Sequence, residues 1–128
     1  MVGLVVVSHS AKAAEGICEV AAQMATGASI EPAGGDNDGG LGTSVDRISE
    51  AIEAADDGDG VVLLVDLGSA VMNAELAVEM REGSEVRIAD APVLEAAVNA
   101  AVEATSKKAT LDSVVAAAEE AREYRKLN

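Results

Sequence analysis

The most informative segment of the sequence is Leu4–Ser10, which reads LVVVSHS: an apolar, β-branched run that stops at Ser-His-Ser. A second stretch, Val61–Ser69 (VVLLVDLGS), has the same form, because its apolar run stops at an Asp and is followed by Gly-Ser. Continuous apolar runs of this length are typical of strands buried on both faces of a parallel sheet. We therefore predict two buried parallel strands whose carboxyl ends place His9 and Asp66 side by side.

The rest of the chain alternates between helical and extended patterns. Apolar residues at helical spacing predict helices over Ala11–Met24, Val45–Ala55, Ala70–Glu82, Leu94–Val102 and Leu111–Ala118, with shorter strands over Ser29–Ala33 and Val86–Ala89. This order predicts an α/β fold, an open doubly wound, mostly parallel sheet of order 2-1-3-4 with helices on both faces. We expect one domain over residues 1–128, with a ligand crevice between the first and third strands, where the strand order reverses.

Helix faces and caps are also expected from the pattern. In the third helix, Met72, Leu76 and Met80 recur every four residues, and we expect them to pack against the sheet. Ser69 precedes that helix and has the residue type of an N-cap. In the first helix, the predicted apolar face includes Met24 and either Val20 or Ala21, and Cys18 is expected to be a small buried side chain. On the fourth helix, the predicted face consists of Leu94, Ala97, Val98, Ala101 and Val102.

The longest loop signal is Gly34–Gly42 (GGDNDGGLG). It begins like a calcium-binding EF-hand loop at Asp36 and Asp38, but Gly40 and Arg47 stand where further oxygen ligands are needed. No Gly-Lys-Ser/Thr follows, which excludes a phosphate-binding P-loop, and the glycines do not directly follow a strong strand, as a dinucleotide fingerprint requires. A mobile loop beside the site remains.

The charge balance is strongly acidic, with 23 Asp and Glu against 9 Lys and Arg and a formal net charge of −14. This argues against binding to nucleic acid, which requires basic groups, and against an anionic membrane surface. A basic protein partner and adaptation to a high-salt cytoplasm both account for it, and we favour the second. A single cysteine, no signal peptide and no apolar run near the length of a membrane span predict a cytoplasmic protein.

The predicted pair His9 and Asp66 suits nucleophilic chemistry. If Asp66 accepts the imidazole N–H, the other ring nitrogen is left as a nucleophile, and the carboxylate stabilises positive charge on the ring. Two helices begin just after these residues, and their free N–H groups favour an anion there. Hydroxyl groups of Ser8, Ser10 and Ser69 are further donors. These features predict a phosphohistidine site.

Other interpretations of these residues remain open. His9 is equally compatible with a strand-end residue that is hydrogen-bonded to a loop. A Ser-His-Asp hydrolase using Ser10 or Ser69 lacks the G-x-S-x-G elbow. A tetrahedral zinc site is disfavoured because the chain has one His and one Cys, so we predict no metal site.

Several motifs in sequence order resemble one family. They are VVSHS at Val6–Ser10, AGG at Ala33–Gly35, LGTS at Leu41–Ser44, DLGSA at Asp66–Ala70, NAE at Asn73–Glu75 and APVLE at Ala91–Glu95. Together they resemble the phosphocarrier M subunits of dihydroxyacetone kinases, which are mannose-type enzyme IIA proteins of the phosphoenolpyruvate:sugar phosphotransferase system. One departure is Ala96, where the family tends to have Gly.

The resemblance implies a phosphotransferase subunit whose His9 accepts a phosphoryl group from the histidine-containing phosphocarrier protein. His9 would pass the group to ADP on the nucleotide (L) subunit of the kinase, and the resulting ATP would phosphorylate dihydroxyacetone on the substrate (K) subunit. No cofactor would be bound by this chain, which would form a homodimer. Asp66 would orient His9, and the site would be bordered by Ser8, Ser10, Gly35, Thr43, Ser44, Gly68 and Ser69.

Two alternatives share the fold, namely a sugar-uptake or regulatory enzyme IIA of the mannose family and a small tetrapyrrole metal chelatase. The sequence Asp66–Ser69 favours the kinase subunit over the first. A chelatase typically carries a second metal-binding His, which this chain lacks. Ser8 and Ser10 exclude a phosphatase of the Arg-His-Gly type.

Overall fold

Strands and helices alternate along the chain, and the computed structural model describes all residues from 1 to 128. The elements are β1 (Gly3–Ser8), α1 (Ala11–Met24), β2 (Ile30–Gly34), α2 (Val45–Ala55), β3 (Val61–Val65), α3 (Gly68–Glu79), β4 (Val86–Ala89), α4 (Val93–Ala104), α5 (Leu111–Glu119) and a 3-10 helix (Glu120–Glu123). The predicted α/β class and element order are confirmed. No helix combines the length and the apolar character needed to cross a membrane.

The four strands form one parallel sheet in the order β2-β1-β3-β4, as the sequence predicts. β1 is central and pairs with both β2 and β3, with Val7 level with Ala33 on one side and Val65 on the other. Adjacent parallel strands that end at the same level bring the residues after them together. This register sets the position of the site.

The sheet is covered on both faces. Every residue of β1 and β3 is buried, and their side chains alternate between two cores, one under α1, α4 and α5 and the other under α2 and α3. The helices contribute mainly small residues to these cores, and α4 buries five alanines: Ala96, Ala97, Ala100, Ala101 and Ala104. The chain has no Trp or Phe, so methyl groups fill the space that aromatic rings occupy in other cores.

The predicted core face of α3 is wrong. Met72 is 70% exposed, and Leu76 and Met80 are exposed as well, whereas Ala70, Ala74 and Ala77 are buried. The small residues of this helix face the sheet, and the large residues that share the four-residue repeat lie on its outer surface.

Two other helices also expose large apolar residues of their predicted buried faces. In α1, Cys18 and Ala21 are buried as expected, but Val20 and Met24 are exposed. At both ends of the predicted α4 face, Leu94 and Val102 are exposed while the intervening alanines pack inward.

Candidate functional site

His9 and Asp66 directly follow β1 and β3, and the structure brings them together. The N–H of Asp66 donates to the carbonyl oxygen of Val7, which continues the ladder one residue beyond the strands. The His9 ring nitrogen Nδ1 lies 3.0 Å from Asp66 Oδ1. The side chains of His9 and Asp66 are 33% and 19% exposed, so the pair sits at the surface with its contact partly shielded.

Asp66 is held by several donors at once. Its Oδ2 accepts the backbone N–H of His9 at 3.0 Å, and its Oδ1 accepts the N–H of Leu67 at 2.6 Å. Burial by itself raises the pKa of Asp66, but these backbone hydrogen bonds, the His9 ring and the Ser8 hydroxyl outweigh it, and the pKa lies below its ordinary value. Asp66 is therefore a carboxylate that accepts the Nδ1–H, which leaves Nε2 of His9 with a free lone pair.

Ser69 faces that second ring nitrogen. Its Oγ lies 2.7 Å from His9 Nε2, and with the proton on Nδ1 the Ser69 hydroxyl is the donor. The predicted N-cap role of Ser69 is wrong, because α3 begins at Gly68 and its N-cap is Leu67, which makes no side-chain cap. The helix starts two residues earlier than expected, and Ser69 lies in its first turn with the hydroxyl directed at the imidazole.

The start of α3 differs from that of three other helices. Ser10, Ser44 and Thr110 cap α1, α2 and α5 by accepting a backbone N–H from the first turn. No side chain does this at α3, whose partially positive end lies beside His9 Nε2. The arrangement suits an anion bonded to Nε2.

A second layer of polar side chains supports Ser69. Thr43 Oγ1 lies 3.4 Å from Ser69 Oγ, and Asn73 Nδ2 donates to Thr43 Oγ1 at 2.6 Å. The sequence analysis placed Thr43 at the border of the site but assigned no role to Asn73. Asn73 lies four residues after Ser69, a spacing that puts both on one face of α3, and this was the signal available in the sequence.

The other predicted border hydroxyls hold the backbone around the site. Ser8 is only 3% exposed, and its Oγ accepts the N–H of Ser10 at 3.2 Å. Ser10 Oγ accepts from the N–H of Ala13 at 3.2 Å, and Ser44 Oγ accepts from the N–H of Arg47 at 3.1 Å. The hydroxyl oxygens of these three serines therefore accept backbone N–H groups at or beside the starts of α1 and α2, whereas the Ser69 hydroxyl contacts the imidazole.

The glycine-rich loop closes against the end of β1. Gly35, at φ +80°, donates its N–H to the carbonyl oxygen of Ser8 at 3.2 Å. Gly42 donates to the carbonyl oxygen of His9 at 2.8 Å. At Gly34, a Cβ would lie 2.4 Å from the carbonyl oxygen of Ser10, so no larger residue fits the approach of this loop to α1.

The surface beside the pair is open and carries two exposed leucines. Leu41 in the glycine-rich loop and Leu67 beside Asp66 are exposed, and a Cβ on Gly68 would meet open space.

Cys18 is buried in α1, as predicted for a small packing residue, and burial raises the pKa of its thiol to about 12. No group of three or more His, Cys, Asp and Glu side chains is arranged to hold a metal ion.

Comparisons with known proteins agree with this architecture. The family described as the PTS system fructose IIA component, EIIA-man, matches residues 3–115. Phosphoryl donor subunit DhaM of the PEP-dependent dihydroxyacetone kinase 1 of Listeria innocua is 43% identical over 95 residues, which cover 74% of this chain and 75% of that protein. DhaM of Escherichia coli is 39% identical over 122 residues, and the match covers 90% of this chain but 26% of that protein.

Solved structures share the whole fold. The crystal structure of EF1359, a protein of unknown function, is 33% identical with a TM-score of 0.85, and the match covers 99% of this chain and 98% of that one. The EIIA component from Streptococcus agalactiae, at 15% identity and a TM-score of 0.71, covers 96% of this chain and 93% of that one and shows the fold alone. With a family match over most of its length and relatives above 30% identity, the chain belongs to the EIIA-man family of the phosphotransferase system.

Proposed function

We propose that this chain is a phosphohistidine carrier that accepts a phosphoryl group on Nε2 of His9. The observation that carries the proposal is the pair of contacts on the ring. Nδ1 is held by Asp66 at 3.0 Å, and Nε2 faces Ser69 at 2.7 Å beside the uncapped start of α3. One nitrogen is thereby fixed as the protonated one, and the other is directed to the open side of the site.

The transfer needs no proton movement on His9. As the lone pair of Nε2 forms a bond to phosphorus, the phosphorus–nitrogen bond on the donor's imidazole breaks and its electron pair returns to the donor ring. His9 keeps its Nδ1 proton and becomes positively charged, and the Asp66 carboxylate balances that charge. Phosphoryl transfer requires mainly positioning and charge stabilisation, and this site offers both.

Donors for the phosphoryl oxygens lie next to Nε2. In the free protein the Ser69 hydroxyl donates to the lone pair that attacks phosphorus, so it must turn away from the nitrogen during transfer. The incoming phosphoryl oxygens then accept hydrogen bonds from that same hydroxyl and from the free N–H groups at the start of α3. Ser69 therefore exchanges one acceptor for another and is not left unpaired.

The donor and acceptor are further parts of the proposal. We infer that the donor is the histidine-containing phosphocarrier protein and that the acceptor is ADP on the nucleotide subunit of dihydroxyacetone kinase. A terminal oxygen of ADP attacks phosphorus, the bond to Nε2 breaks, and the ATP formed phosphorylates dihydroxyacetone on the substrate subunit. Support comes from relatives that are themselves phosphoryl donor subunits of such kinases. The nucleotide is bound by the partner, and this chain acts as a cytoplasmic homodimer.

The test is intact-protein mass spectrometry after incubation with phosphoenolpyruvate, enzyme I and the phosphocarrier protein. We expect a single acid-labile phosphoryl adduct in the wild type and none in His9→Ala, which removes the only histidine in the chain. The net charge of −14 makes it necessary to run the assay at low and at high salt. An undiminished adduct in His9→Ala would refute the proposal.

Adding the nucleotide and substrate subunits with ADP and dihydroxyacetone then tests the acceptor. Loss of the adduct together with formation of dihydroxyacetone phosphate supports the kinase role. An adduct that persists with active kinase subunits would refute that role and point instead to a sugar-uptake or regulatory enzyme IIA.

A further inference from the structure

Four polar side chains form a continuous path that ends at the reactive nitrogen. Asn73 Nδ2 lies 2.6 Å from Thr43 Oγ1, which lies 3.4 Å from Ser69 Oγ, which lies 2.7 Å from His9 Nε2. Thr43 belongs to the loop before α2, whereas Asn73 and Ser69 lie one turn apart on α3. The path therefore ties the loop and the helix together behind Ser69.

The direction of the hydrogen bonds along this path is fixed at both ends. At one end, the Asn73 amide nitrogen can only donate, so Thr43 Oγ1 accepts from it. At the other end, in the neutral imidazole whose Nδ1–H is held by Asp66, Nε2 carries no proton and accepts from Ser69. The Thr43 hydroxyl proton is then left for Ser69, whose Oγ and carbonyl oxygen lie 3.4 Å and 3.5 Å away. Asn73 therefore donates to Thr43, Thr43 donates to one of the two oxygens of Ser69, and Ser69 donates to His9.

We propose that Asn73 is a positioning residue that acts through Thr43 to hold the Ser69 side chain beside Nε2 of His9, where its hydroxyl can pass from the ring nitrogen to a phosphoryl oxygen. A serine hydroxyl without a neighbour divides its time among staggered rotamers, and the contact with Thr43 favours the one that faces the ring. Asn73 itself touches neither the imidazole nor the incoming phosphoryl group. The inference rests on the proposed function of His9 for its catalytic consequence, although the hydrogen-bond geometry is measurable without it.

The first test reads the hydrogen bond at Nε2 directly, in unphosphorylated protein. Nitrogen-15 NMR of the single histidine gives one Nε2 resonance, and Ser69→Ala defines its position when the donor is lost. We expect Asn73→Ala to move the resonance in the same direction by part of that difference. Asn99→Ala is the matched control, because Asn99 is also a partly buried helix residue with side-chain hydrogen bonds, to Ala117 and Tyr124.

The second test measures phosphorylation by phosphoramidate, a small donor that needs no protein partner. Loss of a donor aimed at a transition state costs about 10²-fold or more, which we expect for Ser69→Ala, and about tenfold for Asn73→Ala because Ser69 is still present. If Asn73 acts through Ser69, the double variant is no slower than Ser69→Ala alone. Asn73→Asp, which keeps the size but replaces the donor with an acceptor, should match Asn73→Ala.

An Nε2 resonance that does not move in Asn73→Ala, or rate effects that multiply in the double variant, would overturn the inference. Should Asn73→Ala fail to fold, Asn73→Asp and Thr43→Val replace it in both tests with the same expectations. Failure of the protein phosphocarrier to phosphorylate the wild type would refute the proposed donor. The NMR result and the phosphoramidate rates would still decide the role of Asn73.

Discussion

Asp66→Asn is the sharpest test of the electrostatic account of the site. Nδ1 of His9 and Oδ1 of Asp66 are 3.0 Å apart. Unit charges at about 3 Å interact by about 1.4 kcal/mol in bulk water and about 5.5 kcal/mol at an effective dielectric constant of about 20. The partial exposure of both side chains places the pair between these limits. A value of about 3 kcal/mol is a loss of about 10²-fold in the rate of phosphoryl acceptance.

The predicted effect is on the rate constant for transfer, because Asp66 acts on the imidazole, which gains positive charge in that step. Quench-flow phosphorylation at several donor concentrations should show kcat reduced by about 10²-fold with KM nearly unchanged. Asp90→Asn is the matched control, since Asp90 directly follows β4 as Asp66 follows β3 but is exposed and pairs with Arg122. A rate for Asp66→Asn within about threefold of wild type, in folded protein, would refute the reasoning, because such a ratio leaves well under 1 kcal/mol for the ion pair.

Four other outcomes are expected. Because the folded-state pKa of Asp66 lies below its ordinary value, its contribution to stability is present at neutral pH and is lost as the pH falls through the folded pKa. Urea unfolding at a series of acidic pH values should therefore show a free energy of unfolding that falls less steeply with decreasing pH in Asp66→Asn than in wild type. Gly34→Ala should destabilise the protein by about 2 kcal/mol or more, because the new Cβ collides with backbone atoms at the start of α1. Gly16→Ala lies within α1, where the new Cβ meets no atom within 4 Å, and should stabilise the protein by about 0.5–1 kcal/mol in the same urea assay. Ile52→Ala in the core should cost about 2–5 kcal/mol, against about 0.5 kcal/mol or less for the exposed Met72→Ala, measured by thermal and urea unfolding. Raising KCl from about 0.1 M to about 1 M should raise Tm, because the Debye length falls from about 10 Å to about 3 Å and the repulsion among surface carboxylates is screened; an unchanged Tm would argue against adaptation to high salt.

The sheet could be predicted from sequence because its signal is strong at each step. The apolar runs of β1 and β3 have the length and composition of buried strands, and right-handed crossovers leave few orders for four parallel strands. The helix faces were less predictable. Hydrophobic periodicity predicts that the large apolar residues are buried, but in α3 the buried residues are alanines, and Met72 and Met80 are exposed. A helix packed against the sheet buries the residues whose size fits the space between them, and hydrophobicity alone does not reveal that size.

The meeting of His9 and Asp66 could be predicted from topology, whereas the contact of Ser69 with His9 depends on local hydrogen bonds and could not. His9 and Asp66 meet because two adjacent strands end at one level, which the sequence pattern already implies. The role of Ser69 depends on where α3 begins, and Ser at a helix start is ordinarily a cap. Here the Asp66 carboxylate accepts the N–H of Leu67, the helix begins at Gly68, and the Ser69 hydroxyl is free to face the imidazole. A shift of two residues in the start of α3 turns Ser69 from an expected cap into a residue whose hydroxyl contacts His9 Nε2.

The net charge of the protein and the groups that contact His9 act over different distances. At a physiological ionic strength of about 0.15 M, charges more than about 8 Å apart are largely screened, so most of the net charge of −14 has little effect on the phosphoryl group that we propose at Nε2. The groups within hydrogen-bond distance of His9 decide its reactivity, and these are Asp66, whose charge is shared among several donors, and Ser69 at the uncapped start of α3. The net charge instead affects the encounter with partner proteins. Electrostatic steering of two protein surfaces acts over longer distances, and salt weakens it. Salt should therefore change how fast partners associate with the protein far more than it changes the transfer step within the complex.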